Sequence, residues 1–171
     1  VHGVGGGVMG GDIAAICAMR GLRVTLQDTA PERIAPAVKR AADLFKRRIR
    51  DKARERDALD RLIPDVTGDG ARQADVLIEA ISENLDAKRS LFSKLEGLAK
   101  PQAILATNTS SLKHADIATA LKDPSRLVGI HFFNPVPLLQ LVEVVSSEKT
   151  NPEFAKKAAG FVRQIDKLPL P

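Results

Sequence analysis

The 171 residues contain no tryptophan and no tyrosine, and aromatic side chains make up only 4% of the chain. A nucleic-acid surface of the single-stranded kind needs rings on which bases stack, so this scarcity argues against such a partner although the formal net charge is +5. The basic residues concentrate between Lys39 and Arg61, with Asp43, Asp51, Glu55, Asp57 and Asp60 mixed among them. That mixture reads as a solvated helix face, and the positive excess also suits a phosphorylated small molecule. Cysteine is nearly absent: Cys17 stands alone, which excludes an internal disulfide and fits a reducing, cytoplasmic setting. No apolar run approaches the ~20 residues of a membrane span, and no secretory pattern opens the chain. Neither a membrane nor a nucleic acid is expected as a partner.

What is present is 44% hydrophobic residues, enough for one well-buried domain over residues 1–171 and too little for two of ordinary size. The first residues already read as a strand, and Lys167-Leu168-Pro169-Leu170-Pro171 reads as the start of another element. The chain is therefore expected to be a segment of something longer.

The hydrophobic pattern alternates between the two periods. Val1–Val4 reads as a strand, Met9–Arg20 as a helix ended by Gly21, and Leu22–Gln27 as a second strand closing at Asp28. From Pro31 to Leu62 the period is helical, and the length predicts a helical pair broken near Asp51–Arg54 beside the sheet. Short strands are predicted at Pro64–Thr67, at Ala74–Ala80 and at Ala103–Ala106, with a helix over Leu85–Ala99 between the last two. A helix over His114–Leu121, strands Leu127–Phe132 and Gln140–Ser146, and a helix over Pro152–Ile165 complete the pass. This alternation argues a doubly wound α/β fold of Rossmann type with a mostly parallel sheet. The link between the last two strands is too short for a parallel crossover, so those strands are expected to be antiparallel.

Two groups of residues carry chemistry. Gly5, Gly7 and Gly10 lie between the first strand and its helix, where they permit a tight turn, approach of a pyrophosphate to the backbone, and close helix–strand packing. Gly6 occupies a place that usually carries alanine. Asp28, ending the next strand, can accept hydrogen bonds from an adenosine ribose and repel a 2′-phosphate, which favours NAD over NADP; a turn cap is its plainer role. At the other end, His131 and Glu143 fall on the two strands predicted to be antiparallel. Facing each other, they would pair an imidazole with a buried carboxylate able to fix its tautomer and favour its protonated form, a general base. A structural histidine and an edge-strand charge are the alternatives.

Gly7-Val8-Met9-Gly10, Glu79-Ala80-Ile81-Ser82-Glu83-Asn84-Leu85 with Lys88, Ala106-Thr107-Asn108-Thr109-Ser110-Ser111, His131-Phe132-Phe133-Asn134-Pro135-Val136 and Leu141-Val142-Glu143-Val144 together resemble the L-3-hydroxyacyl-CoA dehydrogenases. The resemblance covers essentially the whole chain and is closest to the dehydrogenase part of bacterial multifunctional fatty-acid oxidation proteins. It implies the NAD-dependent oxidation of (S)-3-hydroxyacyl-CoA to 3-oxoacyl-CoA, with no residues assigned to a metal. His131 and Glu143 would be catalytic. Ser110 and Asn134 would hydrogen-bond the substrate oxygen or the nicotinamide region, against plainer roles as a helix cap and a turn former. Gly5, Gly7, Val8, Met9, Gly10, Asp28, Ala80, Glu83 and Lys88 would line the cofactor, Glu83 and Lys88 near the nicotinamide ribose; otherwise these two are a surface pair of little energetic weight.

In such proteins an all-helical domain follows, so the expectation is a segment that binds NAD but turns over poorly, from a homo-oligomer or a multifunctional β-oxidation protein. A non-catalytic dinucleotide-binding module, and a related dehydrogenase acting on a sugar acid or on 3-hydroxybutyryl-CoA, are the other readings. His2 and His114 match no motif and are expected to be structural.

Overall fold

A computed structural model of the protein describes residues 1–109 and 114–171. In chain order the elements are β1 (His2–Val4), α1 (Val8–Met19), β2 (Val24–Gln27), α2 (Pro31–Arg48), α3 (Lys52–Arg61), β3 (Leu62–Pro64), β4 (Val76–Glu79), α4 (Leu85–Leu98), β5 (Ile104–Thr107), α5 (His114–Ala118), β6 (Leu127–Phe132), β7 (Leu141–Val145), α6 (Pro152–Gln164) and β8 (Leu168–Leu170). Among the described residues the strands form one eight-stranded sheet in the order β3-β2-β1-β4-β5-β6-β7-β8. Pairing is parallel from β3 through β6. It turns antiparallel between β6 and β7, and β8 then runs parallel to β7.

The sheet is buried on both faces, which is why β4 and β5 are buried at every position instead of alternating. One core packs Ile13, Ile16 and Cys17 of α1, Ile34 and Phe45 of α2, and Ala158 and Phe161 of α6. The other packs Phe92 and Leu95 of α4 with Ile117 and Leu121 in and after α5. Each large side chain so buried contributes roughly 1.5–3 kcal/mol relative to exposure. Helix α1 is itself closely covered: a Cβ on Gly11 would lie 2.7 Å from the Cβ of Ala37, so α1 and α2 approach almost backbone to backbone. No helix among the described residues is long and apolar enough to cross a membrane.

The helical pair breaks earlier than its periodicity suggests. Ile49 is already extended, and the Asp51 carboxylate caps α3 by accepting from the N–H groups of Ala53 (2.8 Å) and Arg54 (3.3 Å). The third strand is Leu62–Pro64, not Pro64–Thr67, because Asp65 turns the chain: its carboxylate accepts from the backbone N–H groups of Gly68 (2.9 Å), Asp69 (3.2 Å) and Gly70 (2.8 Å). The segment after Lys167 forms β8 on the sheet edge. The Lys167 ammonium is buried and donates to the carbonyls of Val136 (2.9 Å) and Leu139 (2.7 Å), tying down the loop between β6 and β7.

Candidate active site

Strand β1 is the switch point of the sheet: β2 lies on one side of it and β4 on the other, and α1 and α4 cover opposite faces. Ligands of such sheets bind in the crevice that opens there, at the carboxyl ends of the strands. The glycines after β1 divide into two kinds. Gly5 has φ +112°, and a Cβ on it would stand 2.5 Å from the Ala80 carbonyl oxygen, while one on Gly10 would collide with the Gly5 carbonyl. These two are required by packing. A Cβ on Gly7 would meet nothing within 4 Å, so the backbone there faces open space.

Gly6 is constrained as well. A Cβ in its place would lie 2.6 Å from the Arg33 carbonyl oxygen and 3.2 Å from Oδ2 of Asp28, so α2 packs too closely here for the usual alanine. The Gly6 N–H donates to that same Oδ2 at 2.8 Å, and the Thr29 N–H donates to Oδ1 at 2.7 Å. The Thr29 hydroxyl also donates to Oδ1 at 3.4 Å. Asp28 therefore caps its turn and presents a carboxylate at the crevice together, with a second acceptor direction left on Oδ2.

Four strands away along the sheet, His131 stands opposite Glu143 in the β6–β7 ladder. Its Nδ1 lies 3.7 Å from Oε1 of Glu143, with the side chains 30% and 40% exposed. The facing arrangement is the one expected from the sequence, but the carboxylate is half-exposed instead of buried, because β7 is covered on its outer side only by the short strand β8. At 3.7 Å the pair is in contact but beyond hydrogen-bond length. The His131 ring also meets Phe133 edge-on, centroids 4.9 Å apart. An open cleft of about 380 Å³ brings His131 and Asn134 together with Met9 of α1, Glu83, Asn108 and Thr109. The Asn108 side chain accepts from the Phe132 N–H at 2.8 Å and so fixes the end of the strand that carries His131.

Lys88 differs most from its sequence-based placement. It is 1% exposed, neither a surface residue nor on the cleft wall, and its ammonium is taken up by Glu79 (2.5 Å), the Ile81 carbonyl (3.3 Å) and Glu83 (3.5 Å). Glu83, 60% exposed, does reach the cleft. Val8 is exposed at the first turn of α1, and Ala80 packs on the glycine turn. Ser110 lies outside the described residues. Glu79 and Thr107 bear no motif role in the sequence, yet a carboxylate ending the apolar run Val76-Leu77-Ile78 needs a buried partner, and Glu79 finds it in Lys88 and Thr107. His2 and His114 are buried and structural: His2 bonds Thr25 (2.6 Å) and Gln27 (2.8 Å), and His114 the Leu127 carbonyl (3.3 Å).

A family model described as 3-hydroxyacyl-CoA dehydrogenase, NAD binding domain, matches residues 1–171. The chain belongs to that family. A probable 3-hydroxyacyl-CoA dehydrogenase of Caenorhabditis elegans is 40% identical over 177 residues, covering 96% of this chain and 56% of its own. The fatty acid oxidation complex subunit alpha of a Psychrobacter species is 34% identical over 98% of this chain and 24% of its own. The crystal structure of 3-hydroxybutyryl-CoA dehydrogenase from Escherichia coli K12 superposes with a TM-score of 0.93 at 36% identity, over 99% of this chain and 37% of that one. The chain thus spans about half the length of the first of these relatives and about a quarter of the second.

The residues of this NAD-binding domain fit the dinucleotide. Helix α1 has Gly7 as its N-cap, with no side-chain cap and no acidic residue in the first turn. Its leading N–H groups and the positive end of its dipole are left for an anion such as a pyrophosphate. Asp28 stands on the β2 side of that helix end and the cleft with His131 on the β4–β6 side, so the two halves of a dinucleotide would lie on either side of β1.

Proposed function

We propose that this chain is the cofactor-binding and catalytic half of a dehydrogenase that oxidises (S)-3-hydroxyacyl-CoA to 3-oxoacyl-CoA in fatty-acid β-oxidation. The observation that carries the reading is His131, which lines a cleft reaching Met9 in the first turn of α1 and has Glu143 beside it on the neighbouring strand. A module that only binds a dinucleotide has no need of a base facing the cofactor. With Nδ1 turned toward Glu143, Nε2 is the nitrogen left to take the proton of the 3-hydroxyl, and the carboxylate stabilises the imidazolium that forms. NAD⁺, when bound, supplies the acceptor for the hydrogen and electron pair leaving C3. Asn134, which lines the same cleft, would donate a hydrogen bond to the 3-oxygen, a task that the family resemblance also gives to Ser110.

A second opening of about 550 Å³ supports an acyl-CoA as the substrate. It is lined by Arg40, Arg47 and Arg48 and by the carboxylates Asp12 and Asp43, Asp12 pairing with Arg40 at 3.7 Å, together with Pro135, Pro137 and Leu138 of the loop that carries Asn134. Guanidinium groups suit phosphates and the apolar rim suits a pantetheine chain. The lone buried cysteine supports a reducing, cytoplasmic setting, and the kinship with fatty acid oxidation subunits supports a place in a multifunctional or homo-oligomeric enzyme.

The test is His131→Ala made in the full-length protein and assayed with acetoacetyl-CoA and NADH. Turnover is expected to fall by about 10²–10⁴ while NADH affinity stays within about twofold. Retained turnover would remove His131 as the base.

A further inference from the structure

Beneath the cleft lies a closed ring of five polar side chains. Glu79, the last residue of β4, accepts at Oε2 from Lys88 Nζ (2.5 Å) and from the Ile81 N–H (2.8 Å), and at Oε1 from the Thr107 hydroxyl (2.6 Å). Thr107 Oγ1 in turn accepts from the Thr109 N–H at 3.1 Å. The Thr109 hydroxyl donates to Glu83 at 3.1 Å, and Glu83 returns to Lys88 at 3.5 Å. Glu79 and Thr107 are 0% exposed and Lys88 is 1% exposed. Glu83 and Thr109 alone line the cleft.

Folding does not account for this ring. Burying a carboxylate and an ammonium costs desolvation that their attraction often only repays, and well-packed apolar side chains would hold β4, β5 and α4 together at least as well. What apolar residues could not supply is direction for Glu83, a long and largely exposed side chain with many rotamers to lose. Within the ring its carboxylate is drawn from one side by the Lys88 ammonium and from the other by the Thr109 hydroxyl. Glu79 holds Lys88 directly and Thr109 only through Thr107, whose hydroxyl accepts from the Thr109 N–H.

We propose that Glu79, which has no access to the cleft, is the positioning residue of the nicotinamide end of the cofactor site: through Lys88 and Thr107 it sets Glu83 and Thr109 on the wall that faces His131. The inference rests on the reading of the cleft as the NAD site. It places the ring on the β4–β5 side of β1, away from Asp28, so it acts on one half of the dinucleotide only.

The experiment compares NADH with ADP, which keeps the adenosine and pyrophosphate but lacks the second ribose and the nicotinamide. In Glu79→Gln, which keeps the shape and removes the charge, the NADH dissociation constant rises about tenfold and that of ADP stays within about twofold. Thr107→Val shifts NADH binding in the same direction, and Thr107→Ser, which keeps the hydroxyl, restores it; this pair decides the matter if Glu79→Gln does not fold. Equal weakening of NADH and ADP, or NADH binding unchanged in both Glu79→Gln and Thr107→Val, overturns the positioning role. A wild-type protein that binds no NADH defeats the cofactor reading itself, whereas one that binds NADH with variants that do not discriminate defeats only the role of Glu79.

Discussion

His131 and Glu143 are direct cross-strand partners on β6 and β7, yet Nδ1 and Oε1 stand 3.7 Å apart with both side chains partly in water. Cross-strand neighbours are the pairs that interact most closely in a sheet, so the ladder delivers the orientation and the exposed edge weakens the coupling. A fully buried carboxylate–histidine pair is worth ~10⁴ in turnover; an exposed one, screened by solvent, is worth less.

Glu143→Gln should accordingly lower kcat by roughly 10- to 100-fold, with the KM for NADH unchanged, because the substitution leaves the glycine turn untouched. Steady-state kinetics of the full-length protein with acetoacetyl-CoA and NADH reads both constants. A shared fall in kcat and in NADH affinity would show that Glu143 supports the fold of the cleft and not the base.

The glycines should separate into stability and binding. Gly10→Ala forces a methyl group against the Gly5 carbonyl and should cost roughly 1–3 kcal/mol of unfolding free energy. Gly7→Ala meets nothing within 4 Å, so its stability should stay within about 0.5 kcal/mol, while its methyl group stands where the pyrophosphate approaches and NADH affinity falls. Urea denaturation alongside NADH titration tests the contrast; a Gly7→Ala protein with wild-type NADH affinity would place the pyrophosphate elsewhere.

Asp28→Asn keeps an acceptor for the Gly6 N–H and removes the negative charge. Preference for NAD⁺ over NADP⁺ should fall by about tenfold, or ~1.4 kcal/mol, since a 2′-phosphate is no longer repelled. Competition of the two cofactors against NADH gives the ratio directly, and an unchanged ratio would confine Asp28 to its turn.

Stability should fall as the pH drops below neutrality. Burial pushes the imidazole of His2 below its ordinary 6.5, against the opposing pull of Gln27 and Asp65, and burial likewise lowers His114 against its bond to Leu127. The unfolded chain then takes up protons first, so this stability is complete above about pH 6.5 and is lost as the pH falls from there through the folded-state values. Asp65 acts in a lower window: burial raises it, but the N–H groups of Gly70, Gly68 and Asp69 outweigh that and hold it below 3.8. Urea midpoints at pH 7.5 and 5.0 should differ in the wild type, and the difference should shrink in His2→Gln. An undiminished difference would assign the pH dependence to other groups.

Much of the molecule is legible in its sequence. The alternation of strand and helix periods, the short link after Pro137 and the glycine spacing together imply a parallel sheet with a reversed end, since each is a local property that neighbouring residues enforce. The antiparallel pairing of β6 with β7 follows from two strands joined by a short link, whereas the register that sets His131 opposite Glu143 is fixed by the fold. The end of the third strand did not follow, because it depends on Asp65 capping N–H groups several residues ahead.

Burial was decided by the tertiary structure alone. Lys88 reads as a residue near the nicotinamide ribose, or otherwise as half of a surface pair, and lies in the interior, because Glu79 of another element meets its charge there. Glu143 reads as buried in an apolar run and is half-exposed, because β7 lies next to the sheet's edge. Which side chains the sequence offers, and at what period, is local chemistry; whether a charge meets water or a partner depends on residues far away in the chain, and only folding brings those together.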